Sequence, residues 1–187
     1  MAILPVTVYG DKILRKKVDH IEDVDFKTIE LIKNMFDTMR NSNGIGLAAN
    51  QVGFNQAIFV IDISIVEGYE NYKPLAVINP IITLRSEEKV FIEEGCLSIP
   101  NVRYEIERPK EILIKYFDSD MKEQVLEAND LLARVLQHEY DHLQGILFTD
   151  YFNDKAKKEF KNILNKIKNR KVEIDYPITD DINYQLK

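Results

Sequence analysis

His138, Glu139 and His142 stand in the order His-Glu-x-x-His within DLLARVLQHEYDHLQG, residues 130–145. On a helix turning about 100° and rising about 1.5 Å per residue, the two histidines lie about 40° apart and one turn along. Both rings can then close on one metal ion. Glu139 falls about 60° from His142, near enough to reach a water on that ion without ligating it. The same arithmetic sets Leu131, Leu132, Val135, Leu136 and Leu143 in the half-circle that holds these three residues. Asp130, Arg134, Gln137, Tyr140, Asp141 and Gln144 occupy the other half. The histidines therefore belong to the apolar, inward face. A lone buried histidine is usually satisfied by backbone groups. Two at this spacing, with a glutamate between them, indicate a metal site.

Catalytic sites of this kind use three protein ligands and keep one position for water. Candidates for the third are Cys96, His20 and the downstream acids Asp150, Asp154 and Glu159. His20 sits in the charged stretch HIEDVD and reads as a surface residue. Cys96 lies in EEGCLSIP, after a strand and beside a glycine that permits close backbone approach. Most free cysteines are small buried hydrophobes, but two acids and a glycine are unusual company for one. A thiolate with two imidazoles suits a borderline-soft divalent metal, and Cys96 is favoured. Glu159 is the alternative, and would make the protein a zinc peptidase cutting internal bonds. A non-catalytic module that recognises peptide N-termini is a further reading, although no residue expected for catalysis is missing.

These residues need elements to hold them. Asp25 reads as the N-cap of a helix running to Arg40, with Ile29, Ile32, Phe36 and Met39 at helical spacing. Before it, the first twenty residues read as an extended arm. Segments 57–63, 75–78, 81–84, 89–92 and 111–117 read as short strands, mostly antiparallel because their connections are too short for helical crossovers. Residues 153–169 form an amphipathic helix with Phe160, Ile163, Leu164 and Ile167 on one stripe. The order predicts an α+β fold: curved, mostly antiparallel sheets packed around the metal-site helix, with an amphipathic helix near the C-terminus. Residues 1–170 are expected to form one domain and 171–187 a tail, either a surface strand or disordered.

The chain has 187 residues, 45% of them apolar and 30% charged, which suits a globular protein with a full core. Its net charge of −6 argues against a surface that is a nucleic-acid platform throughout. Neither a signal peptide nor a membrane span is expected, because Pro5 and Gly10 interrupt the N-terminal apolar residues. The single cysteine excludes an internal disulfide and fits the cytoplasm.

Three separated stretches, GIGLAANQ (44–51), EGCLS (94–98) and QHEYDHLQG (137–145), together resemble the signature motifs of the peptide deformylase family. The likeness covers roughly residues 4–165 and is to the family's compact, insertion-free branch. It implies removal of the N-formyl group from the N-terminal methionine of new polypeptides, with release of formate. It implies Cys96, His138 and His142 as ligands of one divalent ion, Fe²⁺ by family habit, with Zn²⁺, Ni²⁺ or Co²⁺ able to substitute. By the same resemblance, Glu139 is the base, and the Gln51 amide and the Leu97 N–H are donors to the formyl oxygen. Ile45, Ile92, Leu131 and Val135 match positions lining the methionine pocket, and small Gly46 lets the chain lie close to substrate. Glu94 matches a position beside the metal, and Glu94 and Gly95 are expected among the residues that bind substrate. Arg134, outside the apolar arc, is expected at the cleft rim, and Arg103 near the cleft or in a surface salt bridge. The expected partners are N-formylmethionyl peptides and, through the basic stretch 155–171, the ribosome. No membrane and no sequence-specific nucleic acid is expected.

Overall fold

The side chains of one short strand show how the layers are divided. In the computed structural model, which describes residues 2–186, β2 (Ile58–Ile61) sends Ile58 and Val60 to one core and Phe59 and Ile61 to another. This is the period-two alternation of a strand buried on both faces. It lies in a five-stranded antiparallel sheet with β1 (Gly46–Ala48), β3 (Leu75–Arg85), β6 (Glu111–Phe117) and β7 (Glu123–Asn129), in the order β1-β2-β3-β6-β7. A separate hairpin pairs β4 (Lys89–Cys96) with β5 (Ile99–Pro109).

Helix α1 (Phe26–Asn41) covers one face of the sheet with Leu31, Ile32, Met35 and Met39. The Asp25 carboxylate accepts the Thr28 N–H at 2.8 Å, capping the helix as its sequence predicts. Helix α2 (Asp130–Leu143), which carries the histidines, covers the other face with Leu132, Val135, Leu136 and Leu143. The β4–β5 hairpin lies over the far side of α2. Beyond it, Leu164 and Ile167 of α3 (Asp154–Lys168) pack on Ile99, Val102 and Ile106. The α+β architecture with antiparallel sheets around the histidine helix is as expected.

Several boundaries differ. The two strands expected at 75–78 and 81–84 are one, because the ladder slips at Asn79 and Pro80 and a bulge absorbs the residue that cannot donate. β5 and β7 were not foreseen. In β5, Val102 and Ile106 point inward between exposed Asn101, Arg103, Glu105 and Glu107, a two-residue period masked by its charges. Residues 171–186 are held to the N-terminal arm: Val6 donates to Pro177 O at 2.9 Å and Thr179 to Val6 O at 3.0 Å. Leu186 donates to Gly53 O at 2.7 Å. Among the described residues, no helix is long and apolar enough to cross a membrane.

Candidate active site

Cys96, His138 and His142 come together between α2 and the end of β4, with their ligand atoms all within 4.8 Å of one another. The two Nε2 atoms are 3.2 Å apart, and Cys96 Sγ is 3.2 Å from His142 Nε2. The donor set suits a divalent ion: two imidazole nitrogens and a thiol sulfur converge on one point, and the His138 ring is held from behind by a carboxylate. His138 Nδ1 lies 2.8 Å from the Glu94 carboxylate, which fixes the ring so that Nε2 faces the cluster. The Asn50 amide donates to the His142 carbonyl at 2.6 Å, tying the helix to the loop before Gln51. Burial, then the charges of His138 and Arg108, push His142 well below the usual histidine range and leave its lone pair free. Burial pulls His138 the same way, but hydrogen bonds to Cys96 and Glu94 more than reverse it. His20 is exposed and takes no part, and Glu159 is exposed on α3.

Glu94 is the hub behind the ligands. Its carboxylate accepts from Arg108 at 2.6 and 3.1 Å and from Arg134 at 2.8 Å, in addition to its contact with His138. Arg108 also reaches Asp141 at 2.6 Å, and Tyr151 donates its hydroxyl to the same carboxylate oxygen at 2.8 Å. The Glu94, Arg108 and Arg134 side chains are each 4% exposed, so these charges exist only because they neutralise one another. Burial pushes the Glu94 carboxyl up, but the hydrogen bonds and charges of His138 and Arg108 outweigh it and hold it well below the usual range.

Arg134 is therefore not at the rim as an exposed group. It is buried, donating also to the carbonyls of Ile106 at 2.6 Å and Val90 at 2.7 Å. The helical wheel misplaced it, with Gln137 and Asp141, because the β4–β5 hairpin buries the helix's second side as well.

Glu139 is buried, and its Oε2 has no hydrogen-bond partner among the described residues. Burial pushes its carboxyl up to about 7, with His138 and Arg108 opposing and Glu94 assisting. Gly46 makes room for it: a Cβ there would collide with Glu139 Oε1 and lie 2.8 Å from its Cδ. The Gln51 side chain is fixed at both ends. Its Oε1 accepts the Ala48 N–H at 2.8 Å, and its Nε2 lies 3.1 Å from Ser98 Oγ and 3.4 Å from Cys96 Sγ.

A cleft of about 1150 Å³ opens over this cluster. Ile45, Gly46, Gln51, Glu94, Gly95, Leu97, Leu131, Arg134, Val135 and Glu139 all line it, with Cys96 and His138. Arg103 lines it too while pairing with exposed Glu93 at 3.6 Å. Ile92 is the exception: half-buried on β4 opposite Ile106, it is not among the cleft-lining residues. The sequence reading missed Arg108, Ser98 and Tyr151. Arg108 had a signal, since it occupies an inward position of the β5 alternation and so demands a buried counter-charge.

Residues 3–158 match the polypeptide deformylase family. The chain belongs to that family. It is 43% identical to a peptide deformylase of Prosthecochloris aestuarii over 178 residues, 95% of each chain. It is 45% identical to one of Salinibacter ruber, covering 94% of each. Among solved structures it is similar to the peptide deformylase of Ehrlichia chaffeensis in complex with actinonin, with a TM-score of 0.83 and 38% identity over 92% of this chain and all of that one. The Thermus thermophilus peptide deformylase gives a TM-score of 0.82 and 34% identity over 91% of this chain and all of that one. The enzyme is thus a metal-dependent hydrolase that removes the N-formyl group from new polypeptides.

Proposed function

We propose that Cys96, His138 and His142 hold one divalent metal ion, that Glu139 carries the proton, and that Gln51 and Leu97 bind the formyl oxygen. The observation that carries this reading is the convergence of the three ligand atoms beside a buried, unpartnered carboxylate at the floor of the cleft. A bound ion would supply Lewis acidity there, lowering the pKa of a water and polarising the formyl oxygen. Glu139, buried with no hydrogen-bond partner on its Oε2 among the described residues, is placed to take a proton from the attacking water and return it to the leaving amine. The nitrogen then departs protonated and formate is released. Negative charge developing on the formyl oxygen is met by the Gln51 amide and the Leu97 N–H. Gln51 costs no reorganisation at that moment, since Ala48 and Ser98 already hold it.

The methionine side chain occupies a slot lined by Ile45, Leu131 and Val135, with His138 as one wall. Glu94 orients His138, and Arg134 and Arg108 keep Glu94 ionised. Fe²⁺ is the resident ion by family habit, and Zn²⁺, Ni²⁺ and Co²⁺ suit the same donors. Replacing Cys96 with Ser tests the ligand set: metal content and formate release from formyl-Met-Ala-Ser should fall together. Full retention of both would remove Cys96 from the site.

The protein works in the cytoplasm, at the ribosome. Residues 155–171 hold seven lysines and Arg170 against Glu159, a net of +7 in a chain of net −6. The apolar stripe of α3 is packed on the hairpin, and the lysines of the helix are exposed. Salt-sensitive docking on RNA phosphate follows from that separation. Charge reversal at Lys157, Lys161 and Lys168 should weaken ribosome co-sedimentation and leave turnover of a short formyl peptide unchanged. Co-sedimentation indifferent to salt and to these reversals would refute it.

A further inference from the structure

The C-terminal segment reaches the chemistry. Residues 173–176 line the cleft over the metal ligands, together with Cys96 at the end of β4 and Leu97 in the turn after it. They lie beyond the 3–158 stretch that matches the family. The Tyr176 hydroxyl donates to the Leu97 carbonyl at 2.7 Å. Leu97 and Ser98 are the two turn residues of the β4–β5 hairpin, where Cys96 pairs with Ile99, so neither takes part in the ladder pairing. The carbonyls of both are bound from the chain's ends: Leu97 O by Tyr176, and Ser98 O by the Tyr9 N–H at 2.8 Å.

The same segment braces the other donor. Pro177 O accepts from Val6 and the Thr179 N–H donates back to Val6, while the next residue, Thr7, donates to Gln51 O at 2.8 Å. Leu186 binds Gly53, the residue that ends the turn carrying Gln51. One stretch of chain thus ties down the backbone at both donors to the formyl oxygen.

We propose that Tyr176 is a positioning residue for the reaction, holding the Leu97 turn so that its N–H meets the formyl oxygen as charge develops there. This rests on the reading of Leu97 as a donor. An oxyanion donor acts only if it is held where the charge will form, and a displacement of about 1 Å can cost on the order of 10²-fold in rate. Without the hydroxyl, the Leu97–Ser98 peptide loses the bond that sets its tilt, and the adjoining Cys96–Leu97 peptide, which carries the Leu97 N–H, loses the anchor on its far side. The hairpin, the metal ligands and Glu139 keep their own supports.

Tyr176→Phe in the full-length, metal-loaded enzyme removes that bond alone. Hydrogen exchange at the Leu97 and Ser98 amides should accelerate. The kcat for formyl-Met-Ala-Ser should fall roughly tenfold with KM within about twofold, because the lost interaction is made in the transition state. Metal content should be unchanged. Tyr184→Phe is the control: its ring lies against Gly53 and does not line the cleft, and it should alter neither readout. Unchanged exchange and unchanged kcat in Tyr176→Phe would overturn the proposal while leaving Leu97 as a donor. Faster exchange with unchanged kcat would remove Leu97 from the reaction and the proposal with it. An equal loss of kcat in both variants would also overturn it, since the effect would then be loosening of the tail in general.

Discussion

Glu94→Gln is the substitution to which the site's buried electrostatics responds most. The wild-type cluster balances Glu94 and Asp141 against Arg108 and Arg134, with little solvent to screen any of them. Glutamine keeps the shape but removes one negative charge, leaving a net positive charge buried. It also faces His138 Nδ1 with a neutral amide in place of a carboxylate 2.8 Å away. Breaking a buried pair by removing one partner costs about 3–5 kcal/mol. Loss of the carboxylate behind a metal-binding histidine weakens metal affinity about 10–100-fold. Urea unfolding at pH 7 should therefore show a drop of about 3 kcal/mol or more, and chelator competition a weaker site. The pH dependence has a definite sign. The folded Glu94 carboxyl is held below its unfolded value, so its stabilisation is complete above about pH 4.5 and declines as pH falls through the region below it. The stability gap between wild type and Glu94→Gln should shrink correspondingly in acid. A variant within about 1 kcal/mol of wild type at pH 7, with unchanged metal affinity, would refute this account of the cluster.

Gly46→Ala should displace Glu139, whose carboxylate a Cβ there would overlap, and lower kcat on the order of 10²-fold; metal content should stay at wild-type level, and retained turnover would show the carboxylate need not sit there. The iron-loaded enzyme should lose activity in air and the nickel-loaded form keep it, because Cys96 lines the open cleft within reach of oxygen and peroxide; equal loss in both forms would count against iron-linked oxidation.

What the sequence made legible is what repeats locally. His138, Glu139 and His142 are read from one helix turn, the Asp25 cap from three residues, and the α3 stripe from its period. Cys96 could be placed beside them by its donor chemistry and by the motifs that surround it. The Glu94–Arg108–Asp141 network could not, since its partners lie 14 and 33 residues apart and carry no period. Arg134 was misread for a related reason: a helical wheel supposes burial on one side, and here a hairpin covers the other. The Asn79-Pro80 bulge turned one strand into two on paper. Residues 171–186 have little periodicity because backbone bonds to Val6 and Gly53 hold them, and such bonds leave no pattern in side-chain types.

Glu139→Gln tests the central claim most directly, with metal content and formate release measured on the same sample. Glu139 is not a ligand in this account, so the variant should bind metal as wild type does. Its turnover of formyl-Met-Ala-Ser should fall by at least the roughly 10²–10⁴-fold that a general base contributes. Metal lost along with activity would put Glu139 among the ligands, and turnover within about tenfold of wild type with metal retained would leave the reaction without its assigned base.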